Sequence, residues 1–231
     1  MRYINYSLLV MGLLCIFLLI KSSGEVVEIS GIRYIFQGFN FGNTMIFTLS
    51  SGMLVSIWFY FLVVYLPQNQ KKKRVKANFL SQYIEFRRQL ILHILNTYNK
   101  GNISESYVDT DLLIDSDKFK AYFKEYVTES QNRWHVFLNN LDEEALAEIL
   151  IEFEAFKEAV SYLLNNVEIE NNNIFSFLHN FNAISISLKN TKLYDDRDKQ
   201  FARLLWEILA SFSFMGGYQE NNHFEKMFKK I

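Results

Sequence analysis

Two long apolar stretches open the chain, and a helical rhythm of apolar and polar positions fills the rest. Residues 4–20 (INYSLLVMGLLCIFLLI) and 44–66 (TMIFTLSSGMLVSIWFYFLVVYL) contain no charged side chain. At 17 residues the first is near the lower limit for a membrane-spanning helix. The second makes a helix about 35 Å long, enough to span with some tilt. Trp58, Tyr60 and Tyr65 gather toward its end, as in an interfacial aromatic belt.

From Gln68 to Ile231 the chain has no proline, and its only glycines are at 101, 216 and 217. Val75, Phe79, Tyr83, Phe86, Leu90, Ile94 and Tyr98 recur at helical spacing and predict a long helix stopping near Lys100-Gly101. It would continue from the second span with a break at Pro67. Residues 101–115 read as a loop. Ser116-Asp117 would cap a short helix through Val127, and Thr128 or Ser130 would start another through Asn140. Asp142-Glu143-Glu144 is a helix N-terminal signature, and the following helix runs to about Asn166. Helices over about 172–188 and 195–214, the latter stopping near Gly216-Gly217, and a short one with Phe224, Met227 and Phe228 complete the pattern. No sustained strand-like alternation appears. The predicted fold is all-α: a two-helix transmembrane hairpin over 1–67, then a six- or seven-helix domain over 68–231.

Charge sharpens the division. Residues 1–66 carry only Arg2, Lys21, Glu25, Glu28 and Arg33, although the whole chain has 24 basic and 25 acidic residues. Lys71, Lys72, Lys73, Arg74 and Lys76 follow the second span directly. Cytoplasmic flanks carry the Lys/Arg excess, so this flank is predicted inside, and two spans put the N-terminus inside too. The expected location is the inner membrane, multi-pass, with the helical domain cytoplasmic. The same cations could contact anionic lipid, at about 1 kcal/mol each near the surface. A nucleic-acid patch fits less well, because no aromatic residue interleaves the run. Residues 77–231 hold 16 basic and 23 acidic groups, a net charge of −7. Phosphate backbones would repel such a domain, so no direct nucleic-acid binding is expected.

A cleaved signal peptide is the rival reading of the first span, with Ser22-Ser23-Gly24 as its cleavage region. The loop 21–43, rich in glycine and in β-branched and aromatic residues, predicts short hairpin strands. Cys15 is the only cysteine, which excludes an intrachain disulfide, and it reads as a small apolar residue. Thr44, Thr48, Ser51, Gly52 and Ser56 share a broad face at about 100° per residue, with Gly12 a small position in the first span. Small and hydroxylated residues let membrane helices approach closely. The face predicts a seam within the hairpin or between copies, or else a pore lining. Neither span has an ionisable residue at its centre, which argues against a proton relay or a charged filter.

Catalytic patterns are sparse. Arg88 and His93 (RRQLILH) fit the loose R-x-x-x-x-H pattern of the all-α HEPN ribonucleases. Five positions on one helix turn these side chains apart by about 140°, and Gln89 stands where that family usually has Asn, Asp or His. The alternative is a surface arginine and a packing histidine. The four histidines, at 93, 135, 179 and 223, have no metal-ligand spacing. Glu143, Glu144, Glu148, Glu152, Glu154 and Glu158 crowd one helix but lack the E-x-x-H of a di-metal site, and read as a solvated face. His135 beside Trp134, and Trp206, read as core. No phosphate-binding loop, nucleophile elbow or dinucleotide fingerprint occurs, so neither a cofactor nor enzymatic activity is expected.

The short hairpin, the junction VVYLPQNQKKKRVKANFLSQYIEF and the helical tail together resemble the small bacterial membrane effectors of anti-phage systems, the transmembrane effector of some retrons in particular. The resemblance is one of layout. It implies a cytoplasmic partner, a reverse transcriptase with its RNA–DNA product, that holds the effector inactive. Release would let the effector damage the inner membrane in abortive infection. Expected partners are therefore the lipid bilayer, a cytoplasmic protein and further copies of the chain. The competing expectations are a harmless membrane-anchored adaptor or sensor, and a membrane-tethered HEPN-like ribonuclease.

Overall fold

A helix pairs its backbone N–H and C=O groups within one segment, which suits an uncharged run, and both apolar stretches are helical. The computed structural model describes residues 2–23, 39, 41–100, 108–189, 191–193, 196–213, 217–218 and 222–231. Two compact units result, Met1–Lys71 and Lys72–Ile231.

In the first unit, α1 (Arg2–Ser22) packs against α2 (Asn43–Tyr60). The pair is antiparallel: Gly12 lies opposite Ile57, and Cys15 Sγ is 3.9 Å from Met53 Sδ. The Ser22 hydroxyl closes α1 by donating to the Leu18 carbonyl at 2.6 Å. Gly42 precedes α2 at φ 79°, a left-handed conformation that suits a residue without Cβ. Asn43 locks the entry by exchanging two hydrogen bonds with the Phe39 backbone, at 2.9 and 3.0 Å. The strands expected in loop 21–43 lie outside the described residues.

A π-helical turn, Phe61–Tyr65, follows α2, and α3 (Leu66–Asn99) follows the turn. The break expected at Pro67 is therefore a widened turn. Proline brings no N–H and crowds the carbonyl four residues back. The ladder has already changed register there, with the Leu66 N–H donating to the Phe61 carbonyl.

The second unit is helical, built from α3, α4 (Thr110–Leu113), α5 (Ser116–Lys124), α6 (Arg133–Asn140), α7 (Glu143–Asn166), α8 (Asn172–Leu188), α9 (Asp196–Leu209) and α10 (His223–Lys229). The domain, expected to have six or seven helices, also contains the single turn of α4, inside the stretch read as a loop. Asp109, Asp115, Asn132, Asp142, Asn171 and Asn222 each cap a helix by accepting backbone N–H bonds. Capping satisfies donors that a first turn leaves free. The cap of α5 is thus Asp115 rather than Ser116. The start of α6 is Asn132, because Tyr126 and Asn132 form a β-bridge around the turn read as helix. α9 stops short of Phe214: Ser211 adopts φ 54°, and β1 (Phe212–Ser213) pairs antiparallel with β2 (Gly217–Tyr218).

The core of this unit is strongly aromatic. Phe86 stacks on Phe156 at 4.6 Å between centroids, and Phe228 of α10 meets Tyr83 edge-on at 4.5 Å. A second cluster gathers Phe119, Phe123, Trp134, Phe137 and Trp206, with the indoles 4.8 Å apart. Edge and offset ring contacts add to the burial of these large side chains.

Candidate functional site

The exterior of the first unit is apolar where a water-facing helix pair would be polar. Leu9, Leu13, Leu14, Met45, Leu49, Val55, Trp58 and Phe59 are all exposed. Its buried residues are small or sulfur-bearing instead: Cys15, Ser22 and Ser50, among the described residues. By length and composition, one helix, Asn43–Asn99, is long and apolar enough to cross a membrane, while Tyr6–Ser22 is a shorter apolar helix.

The α1–α2 contact runs through Gly12, Cys15, Met53 and Ile57. Gly12 also lines a cleft of about 450 Å³ with Leu8, Ile57, Trp58, Tyr60 and Tyr65. Thr44, Thr48, Gly52 and Ser56 lie elsewhere, around an open concavity of about 740 Å³ on α2, and are exposed. That stripe does not form the seam within the pair. The Thr48 and Ser56 hydroxyls donate to the carbonyls of Thr44 and Gly52, at 2.8 and 2.9 Å. Such back-bonding satisfies a hydroxyl without a partner helix. Ser51 is half-buried. Sequence reasoning missed Ser50, whose period matches the contact face but whose hydroxyl marked it as no different from Ser51.

The cation run occupies early α3. Lys71, Lys73 and Arg74 are exposed and Lys72 is half-buried, and none of these four has an ion-pair partner among the described residues. Lys76 departs from the group, donating to the Ile231 carbonyl.

The HEPN-like pair does not converge. Arg88 is held by Asp111 at 3.0 Å and by Glu85 at 2.6 Å. The Asp111 and Glu85 carboxylates raise the Arg88 guanidinium above its ordinary value, and Gln89 and Arg88 lower Glu85. His93 turns to α7, with Nδ1 3.1 Å from Glu148 and Nε2 3.7 Å from Glu152. It packs between α3 and α7 and bridges them through these polar contacts. The α7 glutamates therefore divide: Glu148 and Glu152 meet His93, Glu154 and Glu158 meet Lys157 at 2.5 and 3.6 Å, and Glu144 meets Lys100 at 3.9 Å. Among the described residues no His, Cys, Asp and Glu group could hold a metal ion. His135 is exposed, not core, whereas Trp134 and Trp206 pack in the second aromatic cluster.

No family model, curated protein or solved structure matches this chain.

The most concentrated buried polar chemistry was not visible in the sequence. Arg87, 3% exposed, donates to the Ile114 carbonyl at 2.7 Å and to Ser116 Oγ at 2.9 Å. Asn222 donates to the same Ser116 Oγ at 3.2 Å and to the Ile208 carbonyl at 2.5 Å. Glu225 lies 3.9 Å from the guanidinium. Burial pushes the nearby Tyr83 phenol well above its ordinary range. The group ties α3, the α4–α5 turn, the end of α9 and α10 together.

Proposed function

We propose that the chain is an inner-membrane effector of a bacterial anti-phage system. In this reading α1 and α2 both span the bilayer, and the acidic helical domain on the cytoplasmic side restrains them through a protein partner. The observation that carries the membrane assignment is the exposure of apolar side chains on both helices, Leu13 at 61% and Val55 at 66% among them. Water would penalise that surface by roughly 25 cal/mol per Å², whereas lipid accepts it. Lys71, Lys72, Lys73 and Arg74, without an ion-pair partner among the described residues, then supply the inside flank.

The effector assignment rests on the layout it shares with retron transmembrane effectors. A reverse transcriptase with its RNA–DNA product is the partner that this likeness suggests, and membrane damage on release is the proposed action. Several copies acting together would place the Thr44, Thr48, Gly52 and Ser56 stripe where helices meet or water passes.

The test is expression of the intact chain in a bacterium, with membrane potential and dye entry followed in time. The effector reading expects rapid depolarisation by the wild type and none by Val55→Lys, which puts an ammonium on the apolar face. Unchanged potential with normal growth, with the chain recovered from the membrane, favours a harmless adaptor. Toxicity that survives Val55→Lys and is lost in His93→Ala returns the ribonuclease reading.

A further inference from the structure

Charge is distributed over the second unit with one exception. α8, Asn172–Leu188, contains no Asp, Glu, Lys or Arg, and every other helix of that unit carries at least one. Its inner face is ordinary, with Ile174, Leu178, Phe181, Ser185 and Leu188 buried. Its outer face is not. Phe175 is 44% exposed and Ile186 is 60% exposed. His179 folds onto Phe175 with 4.5 Å between ring centroids, and Ala183 beside it is exposed. Phe175, His179, Ala183 and Ile186 follow helical spacing and form one strip free of Asp, Glu, Lys and Arg.

We infer that this strip is the contact by which two copies of the chain pair through their helical domains. Two arguments select a second copy. The domain carries a net charge of −7 over residues 77–231, so two copies repel wherever charged faces meet. α8 is the helix on which they can approach without that repulsion. The order of side chains is also self-complementary. Antiparallel pairing about a two-fold axis near residues 180–181 sets Phe175 opposite the second copy's Ile186, and His179 opposite its Ala183. Each contact is then made twice, Phe175 to Ile186 and Ile186 to Phe175, which is the reciprocity of an isologous interface. Depletion of charge at the centre, with aromatic and aliphatic residues present, is the composition of an interface core.

One helix face buries well under the roughly 800 Å² per partner of a standard interface. Copies anchored in one bilayer are already concentrated, so a small contact suffices. In that respect the inference rests on the membrane reading.

The test uses the intact chain in native membranes, with Cys15→Ala as background and a bis-maleimide as cross-linker. Ala183→Cys is expected to give a dimer at least about tenfold more abundant than exposed Glu129→Cys gives, and Ile186→Glu to remove that excess. Phe175→Glu is the second disrupting variant, and unchanged helical circular dichroism shows that both remain folded. Equal cross-linking from positions 183 and 129 would overturn the inference. So would a dimer indifferent to both glutamates, or a cross-link from 183 to a different protein alone. Recovery of the chain in the soluble fraction would sink the membrane reading separately. Cross-linking of that soluble chain at matched concentration would then decide the α8 contact by itself.

Discussion

Arg87 is where a single substitution should cost most. Arg87 is 3% exposed, and its guanidinium holds the Ile114 carbonyl and Ser116 Oγ at 2.7 and 2.9 Å. Arg87→Met keeps much of the stem volume and removes every donor. Ser116 keeps Asn222 as a donor at 3.2 Å, so the loss falls on the buried Ile114 carbonyl. A buried acceptor deprived of its partner costs about 1–3 kcal/mol. Removing a guanidinium that was expensive to desolvate offsets part of the lost charge-assisted bonding, and its Nε has no partner. The net expectation for Arg87→Met is about 2 kcal/mol of destabilisation. Arg87→Ala also removes two methylenes at about 0.8 kcal/mol each, for a total of about 3.5 kcal/mol. Urea unfolding of the intact chain in mild detergent would measure both, reported by Trp134 and Trp206 fluorescence in a Trp58→Phe background. A methionine variant as stable as the wild type would refute the reasoning, as would an alanine variant no worse than methionine.

Substitutions at three further positions probe separate features. Burial raises the Glu207 carboxyl above 4.5, so its folded form resists ionisation. A raised folded value favours folding in acid and loses that contribution as pH rises through it. Glu207→Gln should therefore raise the unfolding midpoint at neutral pH and leave it unchanged well below pH 4.5. Asp142 is shifted the other way, lowered from 3.8 first by the Ala145 N–H it accepts and then by Lys100. Its contribution is present above 3.8 and fades as pH falls through the depressed value, so Asp142→Ala should lower the melting temperature at pH 7 and not at pH 2. At Gly12 an added Cβ would sit 3.9 Å from Ile57 Cδ1, an ordinary contact. Gly12→Ala should leave proximity cross-linking between Cys15 and Met53→Cys intact, whereas Gly12→Leu should reduce it by driving the helices apart.

The sequence was most informative where one physical cause dominated. Both apolar helices were legible as long uncharged runs without a proline. Periodic apolar residues gave α3, α7 and α8, whose buried faces match that period. Boundaries were less visible wherever two nearby residues could cap. Asp115 and Ser116 are both good caps, and the choice follows from Ser116 being engaged by Arg87 and Asn222. Thr128 and Ser130 lost to Asn132 because the intervening chain closes its own turn, with the Val127 N–H donating to the Gln131 carbonyl at 2.9 Å. The Thr44–Ser56 stripe was legible as a face, but its direction was not, since the hydroxyls are satisfied within their own helix. Arg87 was indistinguishable from Arg88 in sequence. A difference of about 100° around α3 buries one and exposes the other.

The junction at Pro67 joins these lines of argument. Two causes could hold the Phe61–Tyr65 turn in its wide form. One is Pro67, which removes an N–H and crowds the Val63 carbonyl. The other is the stacking of Phe61 on Tyr65, with centroids 5.4 Å apart and planes 19° apart. Side chains four positions apart stack in a normal helix too, so stacking does not demand the wider turn. Proline does demand some local rearrangement, and π-bulges are a recurrent way of accommodating it. Pro67→Ala restores the donor and relieves the clash. Backbone chemical shifts over residues 61–66 should then move to ordinary α-helical values, with amide exchange slowed across the turn. A variant that keeps the π-helical pattern, while Phe61→Ala abolishes it, would assign the turn to the aromatic pair and remove Pro67 as its cause.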